Sequence, residues 1–167
     1  MKKLLGSLAL AAMIVAVAPR AALAQGVPIK GTFTAAAAVT PNTGNVAFCG
    51  GTPLDLAVEA HGAGYSTLGA LSLSLQKGIA LSGAMHGCLQ LTAPNGDTLS
   101  AIYDGTEGTP NANGFIVDAA GTLTFTGGTG RFLGASGSAK FTAVFHRGTP
   151  VLAFYSVEGT VSPHGGQ

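Results

Sequence analysis

The residues of this chain that could take part in chemistry are few and fall in a handful of places. Glu59 and His61 stand two apart in Leu54-Asp-Leu-Ala-Val-Glu-Ala-His61. On an extended segment that spacing puts both side chains on one face, within reach of a shared proton. A polar outer face is the plainer account of the pair. Glu158 shares its parity with Leu152 and Phe154, so its carboxylate stands among apolar groups. If that face lines a cavity, desolvation would raise its pKa and make it a candidate acid. Otherwise it is an exposed residue near a strand end. His86 beside Met85 and near Cys88, His146 beside Arg147, and His164 in the tail offer no such pairing. No Gly-x-Ser-x-Gly occurs, and Gly134-Ala-Ser-Gly137 lacks the strand-to-helix elbow that a serine nucleophile needs. Metal-ligand spacings are absent as well, so no metal and no cofactor is expected.

The elements that must position these residues read as strands. Ile29 to Ala37 alternates apolar residues with Lys30, Thr32 and Thr34. Leu54, Leu56, Val58 and Ala60 alternate with Asp55, Ala57, Glu59 and His61. Glycines at 62 and 64 are expected to bend or bulge that strand. Gly69, Leu71, Leu73 and Leu75 then share one face, against Ala70, Ser72, Ser74 and Gln76 on the other. Leucine suits a helix too, but the strict alternation favours a strand. Met85 to Leu91 and Leu99 to Tyr103 flank Pro94-Asn-Gly-Asp97, which predicts a hairpin with a primed turn. Gly105 to Gly114 reads as a polar loop and Phe115 to Val117 as a short strand. Thr122 to Thr126, Ala139 to Phe145 and Val151 to Val161 each alternate in twos. About eight short strands and no convincing helix predict an all-β chain, a sandwich or a single small antiparallel β-barrel.

Between two of these strands lies Gly127-Gly-Thr-Gly-Arg-Phe-Leu-Gly-Ala-Ser-Gly137. A phosphate loop would need Gly-Lys-Ser/Thr at a helix start, and here Gly130 is followed by Arg131, Phe132 and Leu133. A dinucleotide fingerprint fails because Leu133 occupies the place of its third glycine. So many residues without Cβ imply positive φ, bulges and a sharp corner instead. Arg131 could pair with a carboxylate across that corner.

The run Gly127, Gly128, Gly130, Arg131, Phe132, Gly134, Gly137 resembles a motif of small secreted bacterial proteins related to the allene oxide cyclase and dirigent barrel. Leu91-Thr-Ala-Pro-Asn-Gly-Asp-Thr-Leu99 is similar to that family's Ala-Asn-Gly-Asp hairpin, and Ala60 to Gly69 is a looser match. The resemblance covers the chain from about Leu54 onward. It implies a closed antiparallel barrel of about eight strands with an apolar interior and no settled activity.

Address and charge narrow the function further. Met-Lys-Lys, an apolar run from Leu4 to Ala18 and Ala22-Leu23-Ala24 form a signal peptide, with cleavage expected after Ala24 and delivery to the periplasm or the exterior. The chain then divides into the signal 1–24, a leader with first strand and loop at 25–53, a barrel body at 54–161 that takes in the first strand 29–37, and a tail at 162–167. Without the signal, five cations stand against seven carboxylates, and the cations are scattered. Nucleic acid is therefore not a partner to expect, and no membrane span remains in the mature chain. Cys49 and Cys88 both lie in the exported part; a disulfide is the simplest pairing there, and closing a loop of about 40 residues would stabilise by roughly 4 kcal/mol. A metal pair and a nucleophilic thiol are the rivals.

The functional expectation is a non-catalytic binder of a small apolar molecule. Phe141, Phe145, Tyr103 and Tyr155 are the aromatic candidates for contact with it. Two alternatives stand beside that reading: an isomerase or cyclase working in the same cavity, and an envelope or surface part with a filled barrel.

Overall fold

The computed structural model describes residues 26–162; the expected signal peptide at 1–24, and the part of the tail that carries His164, lie outside the described residues. Eight strands follow in order: β1 (Val27–Pro41), β2 (Leu56–Ser66), β3 (Gly69–Ile79), β4 (Ala84–Thr92), β5 (Thr98–Glu107), β6 (Ile116–Gly128), β7 (Ser136–His146) and β8 (Val151–Ser162). Each pairs antiparallel with its neighbours in sequence, and β8 returns to β1 to seal the cylinder. Closure leaves no bare sheet edge, so every ladder group has a partner strand.

The alternation seen in the sequence decides what faces in. Ile29, Phe33, Leu71, Leu75, Leu91, Leu99, Leu123 and Phe141 are buried within the barrel. The outer wall carries Thr32, Glu59, Gln76, Asp118, Lys140 and Glu158, all exposed. That arrangement is the reverse of a lipid-facing barrel, which presents an apolar band outward around a polar lumen.

An eight-stranded barrel leaves an interior just wide enough for side chains, so large rings need bare backbone opposite them. The Phe141 ring lies over two glycines: a Cβ at Gly105 would stand 2.8 Å from its Cζ, and one at Gly121 2.6 Å from its Cε1. Phe33 covers Gly64 in the same way. Gly62 and Gly64 therefore do not end or bend β2, which runs on unbroken to Ser66; they make space inside it. Tyr103 stacks on Phe141 at 4.4 Å between centroids, and Tyr155 meets Phe141 and Phe145 edge-on at 6.3 and 6.0 Å. Around these rings only a void of about 10 Å³ remains. The middle of the barrel is solid.

One end is closed by the glycine corner. Gly127, Gly130, Gly134 and Gly137 all have positive φ, and a register shift opposite Ser100 and Ala101 marks a bulge where the corner begins. A 3₁₀ turn at Gly130–Phe132 drives Phe132 into the barrel end, where it is buried beside Ala135 and Ala93. Arg131 lies over the Phe132 ring at 4.7 Å, and its guanidinium donates to the Leu68 carbonyl at 3.0 Å. The carboxylate across the corner is Asp97, but it accepts from the Arg131 backbone N–H at 3.2 Å, so the guanidinium is spent on backbone.

Three local readings of the sequence need correction. β1 is longer than 29–37, because pairing with β8 begins at Val27 and pairing with β2 continues to Pro41, although burial alternates only as far as Ala37. Gly105 to Glu107 belong to β5, and of Phe115 to Val117 only Ile116 and Val117 are strand, at the start of a thirteen-residue β6. The Pro94-Asn-Gly-Asp97 turn is not primed: of its residues only Gly96 has positive φ, at 89°. Proline fixes the first central φ near −65°, which excludes the double positive φ of such a turn and leaves a three-residue loop closed by glycine.

Cys49 and Cys88 are joined, with Cα atoms 5.5 Å apart. The bond ties the 42–55 connection to the outer face of β4. Asn42 braces the same connection by donating to the carbonyls of Val46 and Leu54, both at 2.9 Å.

Glycine 121 tests the packing account. Gly121→Ala places a methyl against the Asp104 carbonyl and the Phe141 ring, and is expected to cost about 2 kcal/mol by overpacking in urea unfolding. Ser138→Ala, at an exposed position on the outer face of β7, is expected to leave stability near the wild-type value.

Candidate functional site

The end opposite the glycine corner is open. Its rim is formed where β1, β5, β7 and β3 finish and β2 and β8 begin, and a recess of about 300 Å³ descends from it into the barrel. Val39, Leu56, Ile79, Val151 and Ala153 supply apolar walls, Phe145 and Tyr155 form part of the floor, and three charged residues, Lys77, Glu107 and Arg147, complete the lining.

Lys77 lies on the face that Leu71, Leu73 and Leu75 begin, so the alternation of β3 carries it inside the barrel, where it is only 2 % exposed. Its cross-strand partner on β4 is Gly87, and the next residue across from Gly87 is Tyr103 on β5. A Cβ at Gly87 would lie 2.5 Å from both Cα and Cβ of Lys77, so this glycine makes the room the lysine occupies. The Nζ sits 2.9 Å from the Met85 sulfur, 4.6 Å from the Phe145 ring centroid and 5.0 Å from that of Tyr103. Ring faces attract a cation, but a thioether is a weak acceptor. Among the described residues no carboxylate lies within 4.0 Å of the amine.

Glu107, the nearest charge of opposite sign along β5, is committed to Arg147, with Oε2 and Nη2 3.3 Å apart. Desolvation therefore dominates at Lys77 and lowers its pKa to about 8, against a smaller opposing pull from the Glu107 carboxylate. Burial also pushes the Tyr103 phenol well above its ordinary value, with Tyr155 and Glu107 adding to the effect. Tyr155 is raised by burial too, with Tyr103 offsetting part of the rise. The two phenols lie close enough to influence each other's ionisation, and the Tyr103 hydroxyl is buried without a well-formed hydrogen bond among the described residues. An amine held by one weak acceptor thus lines an apolar recess beneath an open mouth, with the Tyr103 ring packed behind it.

The sequence candidates are split by the wall of the barrel. Phe141, Phe145, Tyr103 and Tyr155 all point inward, but Phe141 and Tyr103 lie in the packed middle while Phe145 and Tyr155 reach the recess. Glu59 and His61 are on the outer face, 3.3 Å apart, with side chains about two-thirds exposed. Glu158 is outside as well, 3.8 Å from Lys30, and the apolar neighbours on its face, Leu152 and Phe154, are themselves exposed. The face that would have desolvated that carboxylate is the solvent face, so neither pair reaches the chamber.

Comparison with known protein families, with curated proteins and with solved structures finds no match to this chain.

The residues that sequence reading passed over are Lys77, Glu107 and Arg147. Parity was the available signal for the first two: Lys77 continues the leucine face of β3, and Glu107 continues the Leu99, Ala101, Tyr103 face of β5. A second outer-face pair was also missed. His86 Nδ1 and Asp104 Oδ1 lie 2.6 Å apart across β4 and β5, and Gly51 of the disulfide-tied connection covers the ring. The covered Nε2 has no partner, and the pair lies on the wrong side of the wall to serve the recess.

Burial of Lys77 has a consequence for stability. An amine whose folded pKa is lowered disfavours folding at neutral pH, and that penalty lifts as pH rises from about 8 toward the unfolded value of 10.5. The tyrosines act oppositely: their raised folded values mean stability is lost above about pH 10, as the unfolded chain begins to ionise. Stability to urea is expected to climb by a few kcal/mol between pH 7 and pH 10 and to fall beyond it. Lys77→Met should abolish the climb and keep the fall, with equal or greater stability at pH 7.

Proposed function

We propose that the protein is an exported β-barrel, related to the allene oxide cyclase and dirigent barrels, that holds a small and largely apolar molecule in the open end of its cylinder. The observation that carries this reading is the recess of about 300 Å³, apolar in its walls and supplied with Lys77, Glu107 and Arg147 at its base and rim. Small-molecule sites have this composition, with a few polar groups fixing orientation inside an apolar cleft, and the volume is at the lower end of their range. A barrel serving only as a structural part would be expected to fill both ends as it fills the middle. Export is supported by the cross-link between Cys49 and Cys88, since such bonds persist in oxidising compartments.

An isomerase or cyclase in the same cavity would have to work through Lys77, Tyr155 or Glu107, because the carboxylates and histidine that the sequence suggested for acid and base roles are outside the wall. Binding without turnover asks less of these residues and is the reading adopted.

The chain contains no tryptophan, so a fluorescent guest can be followed without interference. Titration with neutral N-phenyl-1-naphthylamine is expected to give saturable, single-site enhancement. Val39→Trp, at an exposed position on the rim, should weaken that binding by about ten-fold while far-UV circular dichroism stays unchanged. Absence of saturable binding, or equal binding by the rim variant, would remove the reading.

A further inference from the structure

Within the recess, the position of Lys77 narrows the chemistry of the guest, an inference that rests on the binding reading above. A lysine kept only for structure would be expected to lead its ammonium to a carboxylate or out to water. Here the β3 register, and the gap left by Gly87, hold the side chain inside. Its Nζ meets one weak acceptor, the Met85 sulfur, and the faces of Phe145 and Tyr103. The carboxylate that could have neutralised it is held by Arg147 at the rim. Apolar surroundings of this kind suit the neutral amine, which is the nucleophilic form of lysine.

We propose that Lys77 captures small apolar aldehydes or ketones that enter the recess, its Nζ adding to the carbonyl carbon to form an imine with release of water. In the addition the nitrogen lone pair forms the C–N bond and the carbonyl π pair moves to oxygen. Both amine hydrogens end on that oxygen, which departs as water while the C=N bond forms. Nothing is oxidised or reduced.

The acid–base state of the amine agrees with this geometry. With a pKa of about 8, on the order of one molecule in ten carries a neutral Lys77 at pH 7, against about one in a few thousand for an ordinary lysine. The charged and titratable groups around it are Glu107 and Tyr103 on β5, Arg147 beyond β7 and Tyr155 on β8. None of them is a carboxylate in contact with the amine among the described residues.

Benzaldehyde followed by a borohydride pulse would trap the imine as a stable benzylamine on the intact, disulfide-bonded protein. Mass spectrometry of the whole chain and of its peptides then reads where the label lies. Labelling at Lys77 is expected to run about ten-fold faster than at exposed Lys30 or Lys140, and Lys77→Met should lose that fast phase. Site mapping in the wild-type protein needs no variant, so a folding defect in Lys77→Met would not obscure the result. Labelling of Lys30 and Lys140 at or above the rate of Lys77 would overturn the proposal. If the naphthylamine still binds in that case, the inference falls and the binding reading stands; if neither guest is taken up, both fall.

Discussion

The constraint that governs this molecule is the narrowness of an eight-stranded cylinder. Its lumen has room for either a large side chain or a nearby Cβ, seldom for both. Aromatic rings therefore face glycines: Phe141 over Gly105 and Gly121, Phe33 over Gly64. The exchange of one kind of residue for the other fills the middle to near completeness and fixes the register of the strands that carry them. It also sets where space can remain. With the rings stacked at mid-height and Phe132 turned in from the corner, the recess that Lys77 lines is at the other end.

Seen this way, the buried lysine is an exception that the packing had to accommodate. Gly87 does for Lys77 what Gly121 does for Phe141, withholding a side chain so that a larger neighbour fits. The difference lies in what is gained. A ring in that gap would add apolar contact, whereas an amine there costs desolvation and receives little in return from a sulfur and two ring faces. A position that carries such a cost in a core otherwise built from apolar side chains is where function is to be sought.

Much of the architecture could be read in the sequence because a period of two is hard to mistake when one face is wet and the other buried. Leu71, Leu73 and Leu75 gave the inner face of β3, and Ala139 to Phe145 that of β7, with no appeal to distant residues. The glycine corner was visible for a similar reason, since clustered glycines have few other uses. What escaped was where alternation outlasts hydrophobicity. Lys77 and Glu107 keep the parity of the inner face but not its character, so one was left without a side and the other was placed in a loop. Arg147 comes into play only when the barrel closes and brings the end of β7 over the mouth. Acid and base candidates failed for a related cause: Glu59, His61 and Glu158 obey the alternation faithfully, and it carries them outside. The turn at Pro94 was misread because the Asn-Gly signal was weighed without the proline that precedes it.

The pairing of Val27 with Val161 puts both ends of the described chain beside the plug formed by Phe132, at the far pole from the recess. A tether, a surface or a second domain attached at either terminus would therefore approach the molecule from behind and leave its mouth facing the solvent. Such a barrel can be anchored in an array without loss of access for whatever it takes up.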